Sequence, residues 1–109
     1  MATTYKTLGQ AAPAATTSTD LYTVPAATSA IISTITVANR AASDATFRIS
    51  QSLAGAAITD KDYLIYDVSI PGSGFITLTL GINMAATDKL RVYASSDDIS
   101  FNVFGTELS

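Results

Sequence analysis

Along most of this chain apolar and polar side chains alternate residue by residue, and a period of two is the pattern of a strand with one buried face. In Ala30–Asn39, Ile31, Ile35 and Val37 share one parity, while Thr34, Thr36 and Ala38 take the other. In Ala45–Leu53, Phe47, Ile49 and Leu53 alternate with Thr46, Arg48, Ser50 and Ser52. Leu64, Tyr66, Val68 and Ile70 alternate with Ile65, Asp67 and Ser69, and Ile76, Leu78 and Leu80 with Phe75, Thr77 and Thr79. Leu90 and Val92 alternate with Arg91 and Tyr93, and Ile99, Phe101 and Val103 with Ser100, Asn102 and Phe104. These positions are rich in β-branched and aromatic residues, which fit a pleated, half-buried surface. Helical spacing is sustained nowhere, and the Ala-rich patch at 84–88 is too short for a stable helix.

The breakers between these runs set the architecture. Pro71-Gly72-Ser73-Gly74 separates two well-patterned strands and predicts a hairpin. Ser95-Ser96-Asp97-Asp98 reads as a second turn, and Ala54-Gly55 opens a longer loop. That rhythm predicts an all-β fold, a two-sheet β-sandwich of about seven to eight strands, jelly-roll-like or Ig-like. An immunoglobulin domain proper is disfavoured because its Cys…Trp…Cys core is absent. Residues 1–20 read as a separate N-terminal strand (Tyr5–Gly9) and extended arm, and 21–109 as the sandwich domain. Pro13 and Pro25 forbid a continuous helix in the Ala/Thr-rich stretch between them. The expectation is that this arm crosses to a neighbouring subunit and adds a strand to its open edge; the alternative is an edge strand of its own domain. Ala57-Ile58-Thr59-Asp60-Lys61 and Ala86-Thr87-Asp88-Lys89 echo one another, each a turn whose Asp is expected to cap the backbone ahead of a strand.

Composition removes whole classes of function. With 109 residues there is one domain and one core. Charged residues make up only 14%, against roughly 25% in an ordinary soluble domain. A surface poor in charge is expected where other proteins cover it. The six basic residues, Lys6, Arg40, Arg48, Lys61, Lys89 and Arg91, are scattered, so nucleic acid is not an expected partner. No window reaches the length of a membrane span, and Met1–Lys6 lacks the apolar stretch of a secretory signal. Without Cys or His, disulfides, thiol chemistry and the commonest general base are missing.

The remaining chemistry is thin. Asp60 with Asp62, Asp67, and Asp97 with Asp98 are the carboxylates that could serve a glycosidase. All but Asp67 sit in turns where Asp is common for hydrogen-bonding reasons, so no catalytic residue and no enzyme activity is expected. Thr59-Asp60-Lys61-Asp62 carries alternating carboxylates, but it lacks a Gly hinge and a downstream Glu, and Lys61 sits between them. Neither a metal nor a cofactor is expected. Phe47 and Phe101 share parity with aliphatics and belong to the core. Tyr63, Phe75, Tyr93 and Phe104 are off-parity and, with Tyr5, Leu8 and Tyr22 of the N-terminal segments, form the candidate interaction surface. The bland alternative is that loops fold over them.

Tyr5-Lys6-Thr7-Leu8-Gly9-Gln10-Ala11-Ala12-Pro13, Leu21-Tyr22-Thr23-Val24-Pro25 and Val37-Ala38-Asn39-Arg40 resemble the corresponding segments of small tailed-bacteriophage virion proteins. So do Phe47-Arg48-Ile49, Tyr66-Asp67-Val68-Ser69-Ile70-Pro71, Ala86-Thr87-Asp88-Lys89-Leu90-Arg91-Val92-Tyr93-Ala94 and Phe104-Gly105-Thr106-Glu107. The resemblance runs over essentially the whole chain, in sandwich-forming segments rather than a chemical fingerprint. It implies a non-enzymatic structural protein of the virion, made in the host cytoplasm, with no cofactor. Capsid decoration (cement) is the leading expectation, as a homotrimer bound to the major capsid protein. The alternative is a tail, baseplate or fibre accessory that meets host glycan.

Overall fold

The computed structural model describes residues 2–109. Its strands are β1 (Thr3–Ala11), β2 (Thr19–Thr23), β3 (Ser29–Asn39), β4 (Ala45–Ser52), β5 (Tyr63–Ile70), β6 (Phe75–Leu78), β7 (Ile82–Met84), β8 (Lys89–Ala94) and β9 (Ile99–Leu108). One sheet has the order β1-β9-β3-β6, with β7 also on β3; the other has the order β2-β8-β4-β5. All pairings are antiparallel. The ninth strand is β7, three residues long, too brief to show alternation in sequence. β6 and β7 pair with successive stretches of β3 and form one edge interrupted at Leu80–Gly81. The two sheets then follow the order of a jelly roll. An immunoglobulin sandwich keeps its first two strands in one sheet, whereas β1 and β2 lie in different sheets.

The core lies between the inner faces. Phe47 and Phe101 meet across it edge to face, ring centroids 6.0 Å apart. Ile35, Val37, Ile49, Leu90, Ile99 and Val103 surround them with essentially no exposure. Asn39 is buried without loss because its amide donates to the Ser43 and Ile70 carbonyls at 2.9 and 3.2 Å. Asp88 is buried and accepts from the Ala54 and Ala85 amides, both at 2.9 Å. It therefore caps its turn as the sequence suggests. In the echoing segment the capping side chain is Asp62 rather than Asp60, accepting the Thr59 amide at 2.9 Å.

Several faces differ from the simple alternation, and each difference has a bulge or a strand end behind it. In β3 the register shifts between Ile32 and Thr34, so Ala30 and Ile32 turn inward and Ile31 is 45% exposed. In β5, Tyr66 and Asp67 together oppose Arg48, placing Ile65 rather than Tyr66 across from Ile49, and a second shift at Leu64 follows before Tyr63 meets Ser50. Leu64 and Tyr66 are therefore exposed, and Val68 is partly so at the sheet edge. Asp67 takes a left-handed conformation (φ 52°), which Asp tolerates better than most residues. β4 ends at Ser52, and Leu53 begins a single 3-10 turn with its side chain in solvent.

The first twenty residues are not a separate arm. β1 pairs with β9 of its own chain from Thr3 to Ala11, Pro13 is buried, and the Thr16 amide donates to the Ala94 carbonyl at 2.8 Å. Gly9 lets the backbone of β2 pass close against β1, since a Cβ there would stand 2.1 Å from the Leu21 carbonyl oxygen.

A polar clamp reinforces that side of the sandwich. The Tyr22 hydroxyl, on β2, donates to Glu107 Oε2 of β9 at 2.5 Å, and Lys6 Nζ of β1 lies 2.9 Å from Glu107 Oε1. Lys6, and then Tyr22, hold the Glu107 carboxyl below its ordinary 4.5. Burial, and then Glu107, push the Tyr22 phenol upward. Asp20, bound by Lys89 and Arg91, and Asp67, bound by Arg48, are likewise held below 3.8. A carboxylate with a depressed pKa stabilises the fold above its unfolded-state value, and that contribution is lost as pH falls through the folded-state value. Urea midpoints are therefore expected to stay level from about pH 7 to about 5 and to fall below about 4. Tyr22→Phe is expected to lower stability by about 1.5–3 kcal/mol at neutral pH, the range for a hydrogen bond to a charged group. Midpoints that do not respond to acid would remove the clamp from the account.

Candidate functional site

The registers bring together, on the outer face of the β1-β9-β3-β6 sheet, residues far apart in sequence. Side chains directly opposite one another across antiparallel strands share a face. One row runs Phe75, Ala38, Ser100; the next Thr77, Thr36, Asn102, Gln10. Then come Thr34, Phe104, Thr7, followed by Asn83, Ile31, Thr106, Tyr5, and last Ser29, Leu108, Thr3. None of these residues carries a charge. Lys6 and Glu107, on the same strands, point to the inner side, and Arg40 stands at the rim, donating to Ser100 Oγ at 2.9 Å.

Apolar groups punctuate this threonine-rich face. Tyr5 is 81% exposed and Phe75 75%, with Ile31 and Phe104 partly exposed. Phe104 lies where both flanking strands bulge, β1 between Thr7 and Gly9 and β3 between Ile32 and Thr34. Gly105 next to it has no room for a side chain, because a Cβ would stand 2.2 Å from the Ile31 carbonyl oxygen. The bulges open a shallow depression of about 500 Å³ lined by Tyr5, Lys6, Thr7, Ser33, Phe104, Gly105 and Thr106.

The outer face of the other sheet has the opposite character. Asp20 takes Lys89 Nζ at 2.9 Å and Arg91 Nε at 3.0 Å. Arg91 also donates to the carbonyls of Ala56 and Gly55 at 2.7 and 3.2 Å, strapping that loop to the sheet. Arg48 lies between two rings, 4.2 Å from the Tyr66 centroid and 4.4 Å from that of Tyr93, and its Nε donates to Asp67 Oδ1 at 2.6 Å. Tyr63 meets Tyr66 edge to face.

Of the expected interaction residues, Tyr5, Phe75 and Phe104 fall on one continuous face. Tyr63 and Tyr93 lie on the opposite sheet, half-buried. Leu8, at the β1 bulge, packs against the core. Tyr22 is buried, because the shift between Asp20 and Tyr22 turns both Leu21 and Tyr22 inward. Five exposed residues escaped the pattern: Ile31, Leu64, Tyr66 and Val68 on bulged strands, and Leu53 just past the end of β4. The one sequence signal for the β5 bulge was Asp67, a residue type depleted from strand interiors. No protein-family model and no curated protein matches the chain.

Proposed function

We propose that this chain is a non-enzymatic structural protein of a bacteriophage particle, a decoration protein that binds the outer capsid surface and ties capsomers together as a homotrimer. The observation that carries this reading is the uncharged outer face of the β1-β9-β3-β6 sheet, with Tyr5, Phe75 and Phe104 exposed upon it. Depletion of charge with enrichment of aromatic residues is the compositional mark of an interface core. The whole-chain resemblance to virion proteins and the jelly-roll order support the same reading, the latter by analogy alone.

The strand edges are poorly suited to the task. β1, β2 and β5 each carry a register shift, and the β6–β7 edge is broken. Such interruptions are devices against strand addition. Docking is thus assigned to a face, where individually modest contacts are multiplied by particle symmetry. Gel densitometry of purified virions against the major capsid protein tests the assignment. A ratio approaching one copy per capsid subunit is expected. A few copies per particle would move the protein to the tail, and its absence from virions would end the structural reading.

A further inference from the structure

On the outer face of the β2-β8-β4-β5 sheet, Asp60, Tyr63 and Tyr66 line a cleft of about 360 Å³. The two rings stand nearly perpendicular, 84° apart with centroids 4.9 Å from one another. Tyr66 is 56% exposed but not loose, since Arg48 stacks on it and is itself fastened to Asp67. Asp62 does the local capping, and among the described residues no hydrogen bond engages the Asp60 carboxylate or the phenols of Tyr63 and Tyr66. The cleft is an aromatic corner whose lining brings one carboxylate beside two phenols.

We propose that this corner binds a neutral saccharide, with an apolar C–H face of one sugar ring against a tyrosine and vicinal hydroxyls donating to the Asp60 carboxylate. A ligand for such a site must be amphipathic, apolar on one face and rich in donors at its rim. Charge decides against the other candidates. A cationic ligand would meet the Arg48 guanidinium already stacked on the Tyr66 ring. An anionic ligand would meet the Asp60 carboxylate in the lining of the cleft. A neutral sugar meets neither repulsion. The site lies on the sheet opposite the uncharged face and does not depend on what that face docks against.

The test uses the isolated full-length chain, in which capsid docking plays no part. Maltotetraose, cellotetraose and chitotetraose are titrated while the tyrosine ring resonances are followed by NMR. At least one is expected to shift Tyr63 and Tyr66 saturably, leaving Tyr5 unmoved, with a Kd on the order of 1 mM, as an open and shallow site allows. Asp60→Asn, which breaks no internal hydrogen bond, is expected to weaken binding about 10-fold. Tyr66→Ala is expected to abolish it. Absence of any shift with all three sugars at about 20 mM, some twenty times the expected Kd, overturns the proposal. So does undiminished binding by Asp60→Asn, or a response at these rings to tetramethylammonium but to none of the sugars.

Discussion

Truncating Phe101 to alanine is expected to remove about 3–5 kcal/mol of stability, the range for deleting a buried phenylalanine ring. Domains of this size hold only about 5–15 kcal/mol in total, so the variant should be close to unfolding at room temperature. Phe101 has no solvent exposure, stands opposite Val37 on one side and Ala11 on the other, and meets Phe47 across the sandwich. Its removal leaves a cavity that two hydrogen-bonded sheets cannot close, so the lost transfer free energy and the cavity add. Phe75→Ala is the comparison. The same ring is lost, but from a side chain 75% exposed, and the expected change is within about 0.5 kcal/mol. Urea denaturation of both variants measures the difference through the midpoint, with an unchanged slope required for the comparison to hold. Similar losses for the two would mean that the assignment of inner and outer faces is wrong.

In the sequence, Phe101 and Phe75 are told apart only by parity within their strands, and for these two parity sufficed. It also sufficed for Phe47, Ile49, Ile76, Leu90 and Val103, whose strands keep an unbroken period of two where these residues lie. It failed at bulges. A single inserted residue reverses the face of everything beyond it, and nothing in Ile32-Ser33-Thr34 or Leu21-Tyr22 announces one. Gly9 and Gly105 were legible as glycines but not as close approaches, because the carbonyls that exclude a Cβ belong to Leu21 and Ile31, on other strands. The low charge content was plain from composition, yet its distribution was not. Arg48, Lys89 and Arg91 gather on one sheet with Asp20 and Asp67. The face that carries no charge is assembled from β1, β3, β6, β7 and β9, and exists only once their registers are set. Long-range pairing, rather than local propensity, created the candidate site.

Under the proposed decoration role, placing one charge in the middle of that face is expected to abolish virion incorporation while leaving the fold intact. Thr36 lies in the central strand of the sheet, between Thr77 and Asn102. In the free protein the Thr36→Glu carboxylate would remain hydrated, and the change should stay within the roughly 1 kcal/mol span of strand propensities. In a docked complex the same carboxylate must lose its water against a surface selected to meet threonines and aromatic rings. The effective penalty for an unpaired buried ion is several kcal/mol, and 1.4 kcal/mol is a factor of about ten in affinity, so occupancy should drop at least about 100-fold. Ser69→Glu supplies the matching charge on the outer face of the other sheet, beside Thr46, and should load normally. Both variants are expressed in infected cells in place of the natural protein, and their copies per particle counted by densitometry. Loss of Thr36→Glu with retention of Ser69→Glu places the contact on the uncharged face. Retention of both would leave that face unoccupied in the particle, and loss of Ser69→Glu alone would exchange the roles of the two sheets.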